Sequence, residues 1–344
     1  MARLVYAIVM GLFVLAVLEA ASRSLYPDDV ELVRNPDHRL RPNTAETNAD
    51  GIRMKREARE FNEATVNVVF LGDSFVFGGR EYPQLALPAQ LEVVLRASHP
   101  KCAINVANFG WVSSSPYLSL RLLRDIGKRY SPDLVLLGLD MTDFHDDLKY
   151  RLLLERPTLT YKAAQYLPGV IVVLKKALSR LARFQWARRA HERIFSLPTD
   201  PFLIVNQPLK ESEPLTAPIV KSVRDIANFT HDQLRAKFAL IVFPRSFQYS
   251  TREAPNSWER NAYTALGPYA LEPFVLFDEL RRNVDFPIYS LLHDFQTTSV
   301  FPTVLYDDPH WTEKGTRFAA ERVAEIVEKE HVLDCAQPAP DSSH

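Results

Sequence analysis

An apolar run that ends abruptly in a glycine, an acid and a serine is the feature of this sequence that most limits its fold. The first strand is predicted over residues 66–71, and Gly72-Asp73-Ser74 follows it directly. Such a run predicts a buried parallel strand, and the glycine and polar residues predict a sharp turn at its carboxyl end. Because ligands of open α/β sheets bind at the carboxyl ends of strands, Ser74 is predicted to lie in a functional site.

Other apolar segments extend this pattern along the chain. Short apolar runs predict further strands over 103–107, 134–139 and 238–243. Apolar residues at helical spacing predict helices over 88–98, over 117–130 and after Thr312. Strands that alternate with helices predict a doubly wound parallel sheet of the α/β class.

The amino-terminal segment is different in kind, because residues Leu4 to Leu18 carry no charge. With its small flanking residues the segment reaches the length of about 20 residues that a membrane span needs. We favour an uncleaved signal-anchor over residues 1–23. The alternatives are a signal peptide cleaved near Ala20 and Ser22, and a helix buried in the domain. Arg3 favours a cytoplasmic amino end, which would place the rest of the chain outside the cytoplasm, in the periplasm of a Gram-negative cell.

Composition divides the remaining chain and excludes some functions. Residues 24–65 are predicted to be an extended tether, 150–235 a helical insertion, and 336–344 a disordered tail. Within the insertion, residues 170–194 predict a basic helix, which could lie on an anionic membrane, hold an acidic glycan or be simply solvated. A loop is expected over 198–218. The net charge of -1 argues against nucleic-acid binding.

The sequence also lacks the signals of a metal or nucleotide site. It has no Cys/His spacing typical of zinc and no glycine-rich phosphate loop, so no metal and no cofactor are predicted. The two cysteines, Cys102 and Cys335, either form a disulfide in an exported domain or remain two unpaired thiols.

A serine hydroxyl becomes a nucleophile only when a base lies beside it and hydrogen-bond donors await the oxyanion. A candidate base occurs far downstream, at His310 in the segment Asp307-Asp308-Pro309-His310. The segment also offers two carboxylates that could orient the imidazole.

These two ends of the chain resemble the SGNH (GDSL) hydrolase family, over about residues 66–330. Gly72-Asp73-Ser74 matches the nucleophile block of that family, and Asp307 with His310 matches its Asp-x-x-His block. Asn108-Phe109-Gly110 resembles the second block, and residues 138–144 lie where the family carries Gly-x-Asn-Asp. The resemblance implies a flavodoxin-like SGNH hydrolase domain over 66–335, with a helical insertion and an N-terminal membrane helix.

The resemblance also implies roles for particular residues. Ser74 would be the nucleophile, His310 the general base and Asp307 the orienting acid, with Asp308 as a competitor for that role. The oxyanion hole would use the backbone N–H groups of Ser74 and Gly110. The side-chain donor falls at Thr142, where the family has asparagine, and this is a departure from the pattern.

As a membrane-anchored member, the chain would be a serine-dependent esterase of carboxylic esters. The resemblance favours O-acetyl esters of exported glycans, attacked through an acyl-enzyme. The alternatives are an acyltransferase in polysaccharide O-acetylation, and a degenerate domain that binds glycan or a partner. Anchored members often carry an Asn-x-x-Gly-x-Arg element like Asn48 to Arg53 here, so Arg53 would line the site, dock the tether or be a solvated turn residue.

Overall fold

The computed structural model describes residues 2–35, 37, 39–79, 82–181, 184–187, 189–190 and 200–333. The chain divides into two compact units. The smaller unit comprises the residues up to 39 and residues 149–200, and the larger unit comprises residues 40–148 and those from 201 onward.

The described residues of the larger unit contain a five-stranded parallel sheet. The strands are β1 (Val66–Gly72), β2 (Ile104–Gly110), β3 (Leu134–Leu139), β4 (Lys237–Val242) and β5 (Ile288–Ser290). Their order in the sheet is β2-β1-β3-β4-β5, which is the flavodoxin-like order. The predicted doubly wound parallel sheet is therefore confirmed, and β5 is a short strand that the sequence pattern did not reveal.

Helices follow most of the strands, close to the predicted positions. In chain order, the α-helices of the described residues are α1 (Ala2–Leu25), α2 (Pro27–Arg34), α3 (Ser74–Phe77), α4 (Leu87–Ser98), α5 (Pro116–Ile126), α6 (Asp143–Glu155), α7 (Leu159–Tyr166), α8 (Pro168–Arg180), α9 (Leu203–Asn206), α10 (Glu213–Phe229), α11 (Glu272–Leu280), α12 (Leu292–Thr297) and α13 (Glu313–Lys329).

The sheet is covered on both faces, as the apolar strands require. Alternate side chains of β1 enter different clusters: Val69 and Leu71 belong to one, and Val68 and Phe70 to the other. The first cluster includes residues of α5 and α10, and the second includes residues of α4 and α13. This packing places the sheet between two helical layers. Because the strands are parallel, the turns that follow them meet along one edge.

The segment predicted as an extended tether is more ordered than expected. Part of it forms α2, and Ile52 is fully buried in the core of the larger unit. Gly51 adopts a φ of 74° and lies so close to the Leu40 carbonyl that a side chain would clash with it. Arg53 donates a hydrogen bond of 2.7 Å to the Phe77 carbonyl at the end of α3. The element therefore docks onto the helix that begins at Ser74.

The smaller unit packs the amino-terminal helix α1 with α2, α7 and α8. A Glu19 carboxylate oxygen accepts a hydrogen bond of 3.0 Å from the Val170 backbone N–H at the start of α8. Gly169 lies so close to the Glu19 carbonyl that a Cβ would come within 2.9 Å of it. By contrast, the apolar side chains of α1 from Leu4 to Leu18 are mostly exposed, as lipid-facing residues would be.

The predicted helical insertion differs from the structure at its carboxyl end. Residues from 201 onward belong to the larger unit, and α10 begins at Glu213, inside the predicted loop. The first part of the basic helix predicted over 170–194 corresponds to α8, which ends at Arg180. Residues 182–183, 188 and 191–194 of the prediction lie outside the described residues. The predicted tail over 336–344 lies outside the described residues.

The cysteine prediction rests partly on a residue that the structure does not describe. Cys335 lies outside the described residues, so its pairing with Cys102 stays a prediction. The Cys102 sulfur lies 3.9 Å from the carbonyl oxygen of Leu333, two residues before Cys335 in the sequence. This proximity agrees with a pairing between the two cysteines.

Candidate active site

The turn after β1 presents Ser74 at the carboxyl edge of the sheet. Asp73 is the N-cap of the short helix α3, and its Oδ1 accepts a hydrogen bond of 2.9 Å from the Phe75 backbone N–H. Ser74 is therefore the first residue of α3, and 8% of its surface is exposed. Within the part of the chain that the structure describes, its backbone N–H donates no hydrogen bond.

The structure brings His310 onto Ser74 across 236 residues of sequence. The Nε2 atom of His310 lies 2.7 Å from the Ser74 Oγ. The ring of Phe75 packs against the imidazole with a centroid distance of 5.2 Å. The His310 loop is closed by a bridge between Val304 and Trp311, after which Thr312 caps α13. The hydroxyl and the imidazole are thus held in the geometry of a nucleophile and its base.

Asp308, rather than the predicted Asp307, contacts His310. Its Oδ1 hydrogen-bonds to the imidazole Nδ1 and also accepts the His310 backbone N–H at 3.0 Å. Asp308 is buried, whereas Asp307 is exposed. The expectation for Asp307 is corrected because the turn over Pro309 directs the nearer carboxylate inward.

Gly110 lies at the end of β2, beside α3, but its N–H is already used. It donates a hydrogen bond of 3.0 Å to the Asn108 Oδ1. A Cβ at this position would lie 2.5 Å from the Phe77 nitrogen. The structure therefore explains Gly110 by close packing against α3, and it does not present the N–H as an unoccupied oxyanion donor.

Thr142, at the family's asparagine position, also has its hydroxyl engaged within the protein. Its Oγ1 donates a hydrogen bond of 2.6 Å to the Asp140 Oδ1 and accepts one of 3.1 Å from the Arg245 Nη2. A hydroxyl has only one hydrogen to donate. In this arrangement Thr142 has none left for a substrate oxygen.

Arg245 is a buried cation beside Thr142 that sequence reasoning missed. Its Nε donates a hydrogen bond of 2.6 Å to the Asp140 Oδ2, and its Nη1 donates to Glu259. The guanidinium carbon lies 5.4 Å from the centroid of the Phe75 ring. Burial alone would lower the pKa of Arg245, but Asp140 and Glu259 outweigh it and raise that pKa, so the side chain is always charged.

Three carboxylates lie together beneath the nucleophile turn. Oxygens of Asp73, Asp140 and Asp143 lie within 4.8 Å of one another, and all three side chains are buried. Burial, followed by the charge of Asp140, raises the pKa of Asp73 to about 7. Burial and the charges of Asp73 and Asp140 also raise the pKa of Asp143. Protein groups already donate to each carboxylate, so the cluster is explained by internal hydrogen bonds.

The cavity beside Ser74 and His310 is very small. It has a volume of about 20 Å³. Its walls include Ser74, Gly79, Leu305, His310 and Trp311. A cavity that holds one water molecule measures about 10–15 Å³ on the same scale, so this one accommodates only a small group.

The sequence contained a usable signal for one of the missed residues. Arg245 follows β4 by three residues, so it lies at the same carboxyl edge of the sheet as Ser74, Gly110 and Thr142. Ligands of open α/β sheets bind at the carboxyl ends of strands, and this rule indicates Arg245 as well as those residues. Its partner Glu259 lies in an irregular segment, where no periodic pattern marks it.

The GDSL-like lipase/acylhydrolase family model matches residues 68–323. This match covers most of the chain, and the chain belongs to that family. Its fold, with the parallel sheet described above, is that of the SGNH hydrolases, and its class is that of ester hydrolases. No curated protein matches the chain.

Several solved structures are similar over most of the chain. A carbohydrate acetylesterase family member from Sinorhizobium meliloti has 12% identity and a TM-score of 0.42, and the match covers 78% of this chain and 99% of that one. The lipase/acylhydrolase from Enterococcus faecalis has 12% identity and a TM-score of 0.43, with 80% and 100% covered. With TM-scores below 0.5, these likenesses carry no weight for the substrate.

Proposed function

We propose that this protein is a serine esterase that removes small acyl groups, most simply acetyl groups, from exported glycans. The observation that carries the proposal is the contact of 2.7 Å between the Ser74 Oγ and the His310 Nε2, with Asp308 on the opposite ring nitrogen. These three groups match the roles of nucleophile, base and orienting acid.

The chemistry follows from this geometry. The Ser74 oxygen bonds to the acyl carbon as its proton passes to the His310 Nε2, and the carbonyl oxygen becomes an oxyanion. When the oxyanion collapses, the alcohol leaves with the proton from His310 and an acyl-enzyme remains. Water then attacks, loses its proton to His310, and releases the acid and the Ser74 hydroxyl. Asp308 holds the imidazole in the required orientation throughout.

The size of the cavity supports a short acyl group. The space of about 20 Å³ beside Ser74 suits a group as small as a methyl, whereas a fatty-acyl chain would have to extend beyond it. We therefore expect hydrolysis of p-nitrophenyl acetate to exceed that of the butyrate and octanoate esters. A preference for octanoate would contradict the acetyl proposal while leaving an esterase in place.

Two exposed aromatic side chains support a sugar as the group that carries the ester. Tyr306 lies on the His310 loop and Trp258 lies next to Glu259, with exposed fractions of 65% and 69%. The Asn256 N–H donates to the Tyr306 carbonyl at 3.1 Å, so the two segments adjoin. Such amphipathic rings provide an apolar face beside a polar site.

The sugar proposal predicts a selective defect. Replacing Trp258 or Tyr306 by alanine should raise the KM for an acetylated oligosaccharide and leave the KM for p-nitrophenyl acetate unchanged. Exposed Tyr166, in the smaller unit, is a matched control that should affect neither substrate. An unchanged oligosaccharide KM in both site variants would contradict the sugar-binding role.

The test of the esterase itself is covalent labelling. The full chain in detergent micelles would be treated with a fluorophosphonate, and the modified residue identified by mass spectrometry. Labelling at Ser74 that is lost in His310→Ala supports an activated serine. Product analysis with and without an acceptor sugar would separate hydrolysis from acyl transfer, which would use the same acyl-enzyme.

A binding domain without turnover is the second candidate. It is favoured by one observation: the Gly110 N–H and the Thr142 hydroxyl are both engaged within the protein. Under this alternative, the folded wild-type protein would remain unlabelled and would still bind an acetylated oligosaccharide after Ser74→Ala.

We further propose that α1 remains attached as a membrane anchor and that the larger unit lies outside the cytoplasm. The packing of the carboxyl end of α1 supports this proposal. Glu19 and Ser22 are buried in the smaller unit, and the Glu19 carboxylate accepts a hydrogen bond from the Val170 N–H. The residues of the candidate cleavage site thus belong to a packed helix. Intact mass of membrane-extracted protein tests this, because a mass that lacks residues 1–22 would contradict it.

A further inference from the structure

We propose that Arg245 supplies the oxyanion-stabilising charge that an asparagine side chain provides elsewhere in the family. This inference rests on the proposed esterase function. Thr142 stands at the asparagine position, yet its single hydroxyl hydrogen is donated to Asp140. A nitrogen of Arg245 lies 3.1 Å from that same hydroxyl oxygen. A donor-bearing atom is therefore present where the expected donor side chain is not.

The guanidinium has hydrogens left to donate. Arginine carries five N–H donors in a planar fork. Three of them are used in the bonds to Asp140, Glu259 and Thr142. Two remain, one on each terminal nitrogen, for an oxygen that arrives with the substrate. The bonds to the two carboxylates also hold the fork rigidly, so little reorganisation is needed when charge develops.

Arg245 lies close to the reacting groups. Its guanidinium carbon lies 5.4 Å from the centroid of the Phe75 ring, and the His310 imidazole packs against the same ring with a centroid distance of 5.2 Å. Phe75 follows Ser74 directly in α3. The positive charge is therefore within the same cluster of side chains as the nucleophile and the base.

The charge is also buried, which increases its effect. Arg245 has an exposed fraction of 5% and its partners Asp140 and Glu259 are buried as well. A charge in a water-excluded site acts more strongly on a developing oxyanion than the same charge in water. The structure in this way compensates for the departure at Thr142, with the Ser74 N–H as the second donor.

The experiment compares Arg245→Gln with the double variant Arg245→Gln/Thr142→Asn, in the full chain in detergent micelles. The substrate is p-nitrophenyl acetate, which carries no negative charge, so a loss of rate cannot reflect a lost ion pair with the substrate. Arg245→Gln should lower kcat by about 10²–10³-fold with little change in KM. Restoring the family's amide at position 142 should then recover at least about tenfold of the loss, because it returns a donor to the same place.

Two further variants guard against a purely structural effect. Arg245→Gln/Glu259→Gln removes the buried charge pair together and is used if the single variant does not fold. Arg56→Gln breaks an ion pair with Glu92, whose carboxylate also accepts the N–H of Val106 in the first half of β2, away from the site. It should lower thermal stability and leave kcat within about twofold.

The outcomes separate this inference from the proposed function. A folded Arg245→Gln variant with kcat within threefold of wild type overturns the inference, and so does a loss that Thr142→Asn fails to recover in a folded protein. A change confined to KM also overturns it. If the wild-type protein neither hydrolyses the ester nor reacts with the fluorophosphonate, the esterase proposal itself fails, whatever the Arg245 variants do.

Discussion

The two sides of the candidate site differ in how their polar groups are used. On one side, hydrogen bonds connect Asp308 to His310 and His310 to Ser74, and the Ser74 backbone N–H donates to no group among the described residues. On the other side, Gly110 and Thr142 donate to Asn108 and Asp140. The first side keeps the serine and histidine of the family pattern but uses Asp308 in place of Asp307. The second side carries a buried cation, Arg245, held by carboxylates.

Under the proposed roles, this difference makes the nucleophile and the oxyanion donors separable parts of the site. The nucleophile needs a base at hydrogen-bond distance, which only a specific pair of residues supplies. An oxyanion needs positive potential, which several kinds of donor can supply. The second requirement therefore tolerates substitution more readily than the first. The predictions below test this comparison in order of decreasing effect.

The largest effect is expected on the nucleophile side. Ser74→Ala and His310→Ala should each lower kcat/KM for p-nitrophenyl acetate by about 10⁴-fold or more, because the covalent route is lost. The two defects should not add in the double variant. Activity within tenfold of wild type in folded Ser74→Ala would remove the distinction between the two sides.

The adjacent acids provide a matched pair for the next test. Asp308→Asn should lower kcat by about 10³–10⁴-fold, because the amide no longer stabilises the imidazolium or fixes its tautomer. Asp307→Asn should change kcat by less than about twofold, since surface substitutions have small effects. Equal loss in both variants, or a larger loss at Asp307, would restore the expectation drawn from the family spacing.

A smaller loss of kcat is expected on substitution of Thr142, the residue that stands where the family has asparagine. Thr142→Val removes a hydroxyl that bonds Asp140 and Arg245, so kcat should fall by less than about tenfold. If Thr142 donated directly to the oxyanion, the loss would be about 10²–10³-fold. Steady-state kinetics therefore distinguishes a positioning hydroxyl from a direct donor.

The smallest effect concerns the pH dependence of stability beneath the nucleophile turn. The pKa of Asp73 is about 7 in the folded protein and 3.8 as an unperturbed group, so the folded state holds its proton more tightly. The contribution of Asp73 is therefore fully favourable below pH 3.8 and declines as the pH rises towards 7.

The Asp73→Asn variant serves as the control, because its side-chain oxygen can still accept the Phe75 N–H while its charge is removed. The unfolding free energy of wild type relative to Asp73→Asn should fall between pH 4 and pH 7, measured by urea denaturation. A difference that stays flat or rises over this interval would contradict the shifted pKa of Asp73.

Much of the fold could be predicted from the sequence, because strands and helices follow the local pattern of apolar residues. Uninterrupted apolar runs marked β1, β3 and β4, and the polar residues that end them marked the functional edge of the sheet. Ser74 and His310 could also be predicted from the sequence, because each lies in a short motif.

The extended prediction for residues 24–65 shows where local pattern misleads. Prolines and charges suggested a tether, but Ile52 enters the core and Arg53 caps the end of α3. Ala58 and Phe61 are buried in the same core cluster as Ile52. Local composition did not reveal this, because burial depends on packing against residues that are distant in the sequence.

What the sequence by itself determined is therefore the parallel α/β sheet, its carboxyl edge, and the serine and histidine that lie on it. Tertiary structure alone decided which of two adjacent acids turns towards His310, since this depends on the path of the loop over Pro309. It also decided that Arg245 meets Thr142, because β3 and β4 are neighbours in the sheet although about 100 residues separate them. Side chains far apart in sequence become partners only when the order of the strands is fixed.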